Sequence, residues 1–316
     1  MSITITGGFT LAGGGWTVVP PPPPSNKAIF GYGYSTADVS MTNLVSNTGV
    51  VATDTTGVGT GRNSLAAAGY GTDKAIFGYG ENSGAKSMTN KVSNTGVVAT
   101  DTTGVGNARY GIAAATYGTD KAIFGYGQST GILRSMTNLV SNTGVVAGDT
   151  TGVGSVRSYL AAAGYGTDKA IFGYGYASDP VSMTNKVSNT GVVATDTTGV
   201  GTARYQLGAA GYGTDKAIFG YGVLGHPTYA PVSMTNLVSN TGVVATDTTG
   251  VGTARNAPAA TGYGVDTAIF GYGSNDGGTT MVSMTNLVSN TGVVATDTTG
   301  VGTLRGYLGA ATYGYG

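Results

Sequence analysis

The 316-residue chain contains no cysteine, which excludes both disulfide bonds and thiolate metal sites. Charged residues make up only 9% of the chain, and 15 basic residues balance 15 acidic ones. Because no basic excess is available to neutralise phosphates, this composition argues against nucleic-acid binding. No run of about 18 apolar residues is present, so no segment is predicted to cross a bilayer as a helix. The first residues, MSITITGGFTLAGGG, lack the basic region and continuous apolar core of a conventional secretion signal.

Groups that carry catalysis or bind metals are also scarce. His226 is the only histidine and Glu81 the only glutamate. A lone histidine without neighbouring acids does not form a transition-metal site, and no segment has the D-x-D-x-D-G spacing of a calcium loop. Paired carboxylates for glycoside hydrolysis would have to come from separate loops, at Asp38, Glu81, Asp179 or Asp276. We therefore predict no enzymatic activity, no cofactor and no bound metal.

Glycine and repetition dominate what is present. Glycine accounts for 57 residues, well above the usual share of about 7%. The hexapeptide AIFGYG occurs six times, 47 to 51 residues apart, starting at Ala28, Ala75, Ala122, Ala170, Ala217 and Ala268. A twenty-residue block, SMTNLVSNTGVVATDTTGVG at 40–59, recurs with it and changes at only two positions. A period of this length predicts a repeat architecture in which one unit is used six times.

The unit at 62–106 is predicted to contain four short strands. They are a small-residue segment (65–70), the apolar run AIFGY (75–79), the alternating SMTNKVS (87–93) and VVAT (97–100). Four antiparallel strands every ~40–50 residues are typical of a β-propeller blade. We therefore predict an all-β fold, a propeller of six blades.

The two ends of the repeat region favour a closed ring over the rival fold, a parallel β-solenoid. The first AIFGYG, at Ala28, has no small-residue strand before it, whereas 305–316 supply one more copy of that strand after the last block. Pairing these segments would complete one blade from both chain ends and would remove an exposed sheet edge. We predict this 3+1 closure, with the propeller spanning 27–316.

The order of residues in the unit resembles the Kelch-type propeller repeat. An arginine, a short apolar strand, a turn and an apolar strand ending in glycines follow one another at Arg109, 113–115 and 121–127. More closely, 27–316 is similar to Kelch-like repeat proteins encoded by bacteriophages and found in environmental sequences. The split Gly-Tyr-Gly and the lack of tryptophan in every repeat depart from the Kelch proteins with cytoskeletal and ubiquitin-ligase roles. The resemblance implies a Kelch-like propeller in a virion-associated or extracellular setting.

Differences among the repeats are concentrated in two places. One is the loop after AIFGYG, called here the variable loop: 34–39, 81–86, 128–134, 176–181, 223–232 and 274–282. The other is the pair of residues after the repeat arginine, called here the post-arginine pair. In a blade whose strands alternate in direction, both sets lie on one face, and the constant turns lie on the opposite one.

This face is predicted to bind a glycan or a cell-surface receptor. Tyrosine joins a flat apolar body to a polar tip, which suits recognition. The candidate binding residues are Tyr110, Tyr159, Tyr205, Tyr307, Asn63, Asn256, Tyr34, Tyr176, His226 and Tyr229. The alternative is drift without selection, since loops tolerate change.

Each repeat also carries one invariant aspartate and one invariant arginine. They are Asp54, Arg62, Asp101, Arg109, Asp149, Arg157, Asp196, Arg204, Asp247, Arg255, Asp297 and Arg305. Six identical copies are expected of a structural role, because a catalytic site needs unlike groups that converge. We predict charge-assisted hydrogen bonds between them that fix the linkers between blades.

Residues 1–26 lie outside the repeat. SITIT and FTLAGGGWTVV predict short strands, and five prolines at 20–24 predict a stiff polyproline II spacer of about 3 Å per residue. Such a segment would join the ring to a virion partner or to another copy by strand addition; a tail folded onto its own propeller is the alternative. Two functions follow: a binding module of a virion or extracellular setting, or a structural building block of a virion or extracellular fibre assembled through 1–26. Neither involves nucleic acid or membrane insertion.

Overall fold

The computed structural model describes residues 9–12, 15–18 and 26–315, and every regular element in these ranges is a β-strand. None of these residues forms a helix that could cross a membrane. The first strands are β1 (Phe9–Ala12), β2 (Gly15–Val18), β3 (Asn26–Gly31), β4 (Thr42–Val45), β5 (Ala66–Tyr70), β6 (Lys74–Gly78), β7 (Thr89–Val92), β8 (Ala113–Tyr117), β9 (Lys121–Gly125), β10 (Gln128–Ser129) and β11 (Ile132–Leu133). They are followed by β12 (Thr137–Val140), β13 (Ala161–Tyr165), β14 (Lys169–Gly173), β15 (Thr184–Val187), β16 (Gly208–Tyr212), β17 (Lys216–Gly220), β18 (Thr235–Val238), β19 (Ala259–Tyr263), β20 (Thr267–Gly271), β21 (Thr285–Val288) and β22 (Gly309–Tyr315).

Six small antiparallel sheets of three strands each make up the repeat region, as the sequence period predicts. Sheets 1 to 6 have the strand orders β22-β3-β4, β5-β6-β7, β8-β9-β12, β13-β14-β15, β16-β17-β18 and β19-β20-β21. The middle strand of each sheet is the AIFGYG segment. This repeated all-β architecture is compatible with a β-propeller.

Burial explains the composition of the three strands. In sheet 2, the middle-strand residues Ala75, Ile76 and Phe77 are fully buried, as expected of a continuous apolar run covered on both faces. In the third strand Asn90 and Val92 are buried whereas Lys91 is half-buried, as the predicted alternation requires. Thr89 is buried as well and Met88 is only half-buried, so the alternation does not extend to these two residues.

The core consists of repeated layers between neighbouring sheets. The Phe77 ring of sheet 2 lies against the Tyr32 ring of sheet 1, with centroids 5.1 Å apart. A Cβ atom at Gly31 would lie 2.7 Å from Cζ of Phe77, so the glycine that ends the middle strand makes room for the phenylalanine of the next sheet. Equivalent apolar clusters lie between each sheet and the next, including between sheets 6 and 1.

The two ends of the repeat region meet in sheet 1. Strand β22 pairs with β3 from Gly309↔Gly31 to Tyr313↔Lys27, which confirms the predicted pairing of the last segment with the first AIFGYG strand. β22 also packs against β5 and β19, the inner strands of sheets 2 and 6. β3 begins at Asn26, one residue before the predicted boundary.

The predicted fourth strand does not form as a regular strand. In sheet 2 the segment after β7 makes two isolated bridges, Val92↔Val98 and Thr89↔Thr102, and the other sheets do the same. Between these bridges the outer segment has three residues, 99–101, where β7 has two, 90–91. This extra residue interrupts the ladder in the manner of a β-bulge. Each of the six sheets therefore has three strands and an irregular outer edge.

The amino-terminal segment forms one of the predicted structures. β1 and β2 pair as an antiparallel hairpin, with Leu11 opposite Trp16. The SITIT strand and the five-proline spacer lie outside the described residues.

Candidate functional site

The two variable sets of residues lie side by side. The first residue of each post-arginine pair forms a bridge with the first residue of a variable loop, as in Asn63↔Glu81, Tyr205↔Val223 and Gly306↔Tyr34. The same bridge recurs in all six sheets. We call the surface formed by the variable loops and post-arginine pairs the variable face; the predicted convergence of the two sets is confirmed.

The constant turns lie at the other ends of the strands. In sheet 4 the amide of Asn189, in the turn after the third strand, donates to the carboxylate of Asp168, in the turn between the first two strands, over 3.1 Å. We call this surface the constant face. The residues of the constant face thus repeat from sheet to sheet, whereas those of the variable face differ.

The second residues of the post-arginine pairs form a ring of backbone hydrogen bonds around the axis. The amide of each donates to the carbonyl of the one before it: Ser64 to Tyr307, Gly111 to Ser64, Tyr159 to Gly111, Gln206 to Tyr159, Ala257 to Gln206 and Tyr307 to Ala257, over 2.7–3.1 Å. The six bonds form a continuous cycle, called here the axial belt. All six residues have a left-handed backbone, with φ between 51° and 60°. Of the six, only Gly111 is a residue type that adopts this conformation readily, so the sequence does not predict it at the other five positions.

Two cavities are lined by residues from all six sheets. The belt residues and the apolar side chains that follow them line a cavity of about 90 Å³. Toward the constant face, a cavity of about 260 Å³ is lined by first-strand residues such as Ala68, Ala115 and Ala163.

The candidate binding residues differ in exposure. Tyr34, Tyr176, His226 and Tyr229 are exposed, whereas Asn63, Tyr110, Tyr159, Tyr205 and Tyr307 are half-buried. Asn256 is fully buried, and its amide donates to Oε1 of Gln206 over 2.6 Å. The prediction that Asn256 lies on the binding surface is therefore wrong: its side chain lies beneath Gln206 and holds it by this hydrogen bond.

Two of the tyrosines belong to the axial belt and contact each other over the axis. The rings of Tyr159 and Tyr307 lie 6.5 Å apart edge to face, and Tyr110 lies 6.4 Å from Tyr159. Burial raises the pKa of Tyr159 well above its usual range, and nearby Tyr110 and Glu81 raise it further. Its phenol is therefore neutral and serves as a hydrogen-bonding group rather than as a base.

The carboxylates of the variable face have different surroundings. Asp38 accepts a hydrogen bond from the Asn63 amide over 2.7 Å. Burial raises the pKa of Glu81, and the charge of Asp38 raises it further. Asp276 is occupied by its own loop, since both its oxygens accept from Thr279 and Thr280. Within 9–12, 15–18 and 26–315, no three histidines, cysteines or acids lie close enough to hold a metal ion.

The invariant arginines form a repeated buried network. Arg62 is fully buried, and its Nε donates to the Tyr79 carbonyl over 2.8 Å while Nη2 donates to Oδ1 of Asn90 over 2.6 Å. Its guanidinium lies 4.3 Å from the ring centroid of Tyr32, in the preceding sheet. The same arrangement recurs in every sheet, except that Nε of Arg255 has no partner among the described residues.

The predicted bond between arginine and aspartate is mostly indirect. Arg62 lies 3.8 Å from Asp101, after the third strand of its own sheet, rather than beside Asp54. Only Arg109 donates directly, to Asp149 over 3.3 Å. The link is instead an asparagine such as Asn90, whose Nδ2 donates to Asp101 over 2.9 Å.

The observed network contains two residues that the sequence did not predict for it: an invariant asparagine and the tyrosine of Gly-Tyr-Gly. The asparagines are Asn43, Asn90, Asn138, Asn185, Asn236 and Asn286, and all are fully buried. Burial raises the pKa of Tyr79 to about 12, so its ring stays neutral beneath the arginine. A polar residue at a buried position of an alternating strand was the available signal for the asparagine.

The six network aspartates couple stability to pH. Burial alone would raise the pKa of Asp101, but hydrogen bonds from Thr60 and Asn90 and the charge of Arg62 outweigh burial and lower it. The same holds for Asp54, Asp149, Asp196, Asp247 and Asp297. Because the pKa is lower in the folded state, this stabilisation is present above the unfolded pKa of about 4 and is lost as the pH falls through the folded pKa.

We therefore expect the free energy of unfolding to stay level from about pH 8 to pH 5 and to fall steeply below pH 4. Replacing Asp101 by Asn should reduce the slope of the unfolding free energy against pH in this acid range. The expected reduction is that of one proton, about 1.4 kcal/mol per pH unit. Urea unfolding at a series of pH values measures both slopes. Asp179→Asn, in an exposed variable loop, is the control; an unchanged slope for Asp101→Asn would contradict the assignment.

The site thus joins a repeated scaffold to one face of differing, tyrosine-bearing loops. No protein-family model matches the chain, and a search of the curated proteins finds no match.

Proposed function

We propose that this chain is a closed, six-bladed, Kelch-like β-propeller that binds a glycan or cell-surface ligand through its variable face, without catalysis. One observation carries the proposal: the residues that differ among repeats gather on one face, whereas the repeated residues form the scaffold and the opposite face. A rigid scaffold that carries variable loops is the usual arrangement of a recognition protein.

The ring is supported by three repeated contacts. The axial belt passes through all six sheets without a break. Sheet 1 receives its inner strand, β22, from the other end of the chain. The guanidinium of Arg305 lies over the Tyr272 ring of sheet 6 and bonds Asn43 of sheet 1, so the network also spans the junction.

The ligand class is supported by the chemistry of the loops. Tyr34, Tyr176 and Tyr229 present aromatic surface to solvent. Low charge and many hydroxyl and amide groups suit an uncharged, hydroxyl-rich ligand better than a phosphate-rich one. The proposed setting is a virion or the extracellular space, and a partnering role for 1–26 remains a prediction.

The test compares the two faces. A variant with Tyr34, Tyr176, Tyr205 and Tyr229 changed to Ala is expected to lose binding to a glycan array and to whole cells by tenfold or more, since exposed tyrosines commonly dominate such interfaces. The control changes Val50, Val97 and Val145, exposed on the constant face, to Ser and should bind like the parent protein. Equal binding by both variants, with folding verified by circular dichroism, would refute the proposal.

A further inference from the structure

Aromatic side chains are unevenly distributed over the variable face. The rings of Tyr176 and Tyr205 lie 5.3 Å apart, on sheets 4 and 5. His226 and Tyr229 lie 6.0 Å apart in the longest variable loop, that of sheet 5. These four residues are called here the aromatic sector.

The long loop of sheet 5 leans toward sheet 4. A Cβ atom at Gly225 would lie 2.7 Å from the Pro180 ring in the neighbouring loop, so the two loops are in close contact. Burial raises the pKa of Tyr205, and the hydroxyls of Tyr307, Tyr229 and Tyr176 raise it further, which places all three near Tyr205. Loop length and packing thus gather the aromatic side chains into one place.

The loops around the aromatic sector carry carboxylates but no lysine or arginine. The variable loops and post-arginine pairs of sheets 4 to 6 contain neither of these two basic residues. Of their two carboxylates, Asp276 is occupied by its own loop and Asp179 is exposed. An anionic sugar would meet a carboxylate and neither a lysine nor an arginine, which disfavours sialylated and sulfated glycans.

From this geometry we propose that the aromatic sector is the main subsite of the variable face and takes one neutral, pyranose-containing glycan per chain. This rests on the proposed function and localises it. The C–H groups of a pyranose ring carry partial positive charge and pack on the negative faces of Tyr176 and Tyr229. Gln206, which follows Tyr205 in the chain, and the tyrosine hydroxyls can accept and donate hydrogen bonds. Because the sector exists once, sixfold repetition of the scaffold does not create six sites.

Ile132 supplies a control on the same face. It is 53% exposed in the variable loop of sheet 3, outside the sector. On an array of neutral, sialylated and sulfated glycans, binding should be restricted to neutral ones. Tyr176→Ala and Tyr229→Ala should each lower the affinity for the best neutral glycan roughly tenfold. Ile132→Ala should stay within about twofold, and calorimetry should give one site per chain.

Other outcomes separate this inference from the proposed function. If Asn63→Ala or Tyr34→Ala abolishes binding while Tyr176→Ala and Tyr229→Ala retain it, the aromatic sector is not the main subsite. The proposal that the variable face binds the ligand then still stands. Preference for sialylated or sulfated glycans, or displacement by choline as a cationic probe, also overturns it. If neither the array nor whole cells bind the parent protein, both proposals fall.

Discussion

Ending the chain after Leu308, which removes β22, is expected to abolish cooperative folding of the ring. β3 would lose its partner along Gly309–Tyr315, and Ala311 and Tyr313 would no longer fill the core between sheets 1 and 2. At about 1 kcal/mol for each ladder hydrogen bond and about 2 kcal/mol for a buried aromatic side chain, the loss is comparable with the 5–15 kcal/mol that stabilises a typical domain. Urea unfolding followed by circular dichroism, with light scattering for aggregation, measures it.

Two comparisons make this experiment specific to closure. A peptide spanning 305–316, added to the truncated chain, should restore the folded signal because it replaces the missing strand. Deleting 1–25 instead leaves β3 to β22 intact and should leave unfolding of the ring unchanged. A truncated chain as stable as the parent protein would show that pairing of β22 with β3 does not hold the ring together.

Replacing Arg109 by Met is expected to destabilise the protein by about 3–5 kcal/mol. The substitution keeps an apolar stem but leaves the Tyr126 carbonyl and Asn138 Oδ1 without their buried donors. It also leaves Asp149 without the cation 3.3 Å away and removes the cation–π contact with Tyr79. The free energy of unfolding in urea gives the effect.

A lysine in the same sheet provides the control. Lys121 forms a 3.0 Å ion pair with Asp120, but its side chain is 43% exposed. Lys121→Met should therefore cost no more than about 1 kcal/mol. Similar losses for the two variants would mean that the arginine network contributes no more than a surface ion pair.

Repetition made the scaffold predictable from sequence. The strictly apolar AIF segment predicts a strand buried on both faces, and the small-residue segment 65–70 predicts the first strand, which forms as β5. The extra small-residue segment at the end predicts that β22 joins β3. Each of these depends on side-chain size and hydrophobicity, which are visible in a single sequence.

The features that the sequence did not predict depend on the three-dimensional arrangement of residues rather than on their size or hydrophobicity. The fourth strand is irregular because one extra residue separates its two bridges, although its residues favour strands. Asn256 belongs to a variable pair, yet lies buried under Gln206. Asn90 takes the central place in the network because its amide can accept from arginine and donate to aspartate at the same time.

The axial belt has an electrostatic consequence for anything that approaches along the axis. Its six peptide dipoles point head to tail around a circle, so their components within the circle cancel. A helix end, where dipoles add along one line, attracts ions of one sign; this circulating arrangement gives no such in-plane polarity. Charge preference at the centre of the variable face is therefore left to the side chains at 64, 111, 159, 206, 257 and 307.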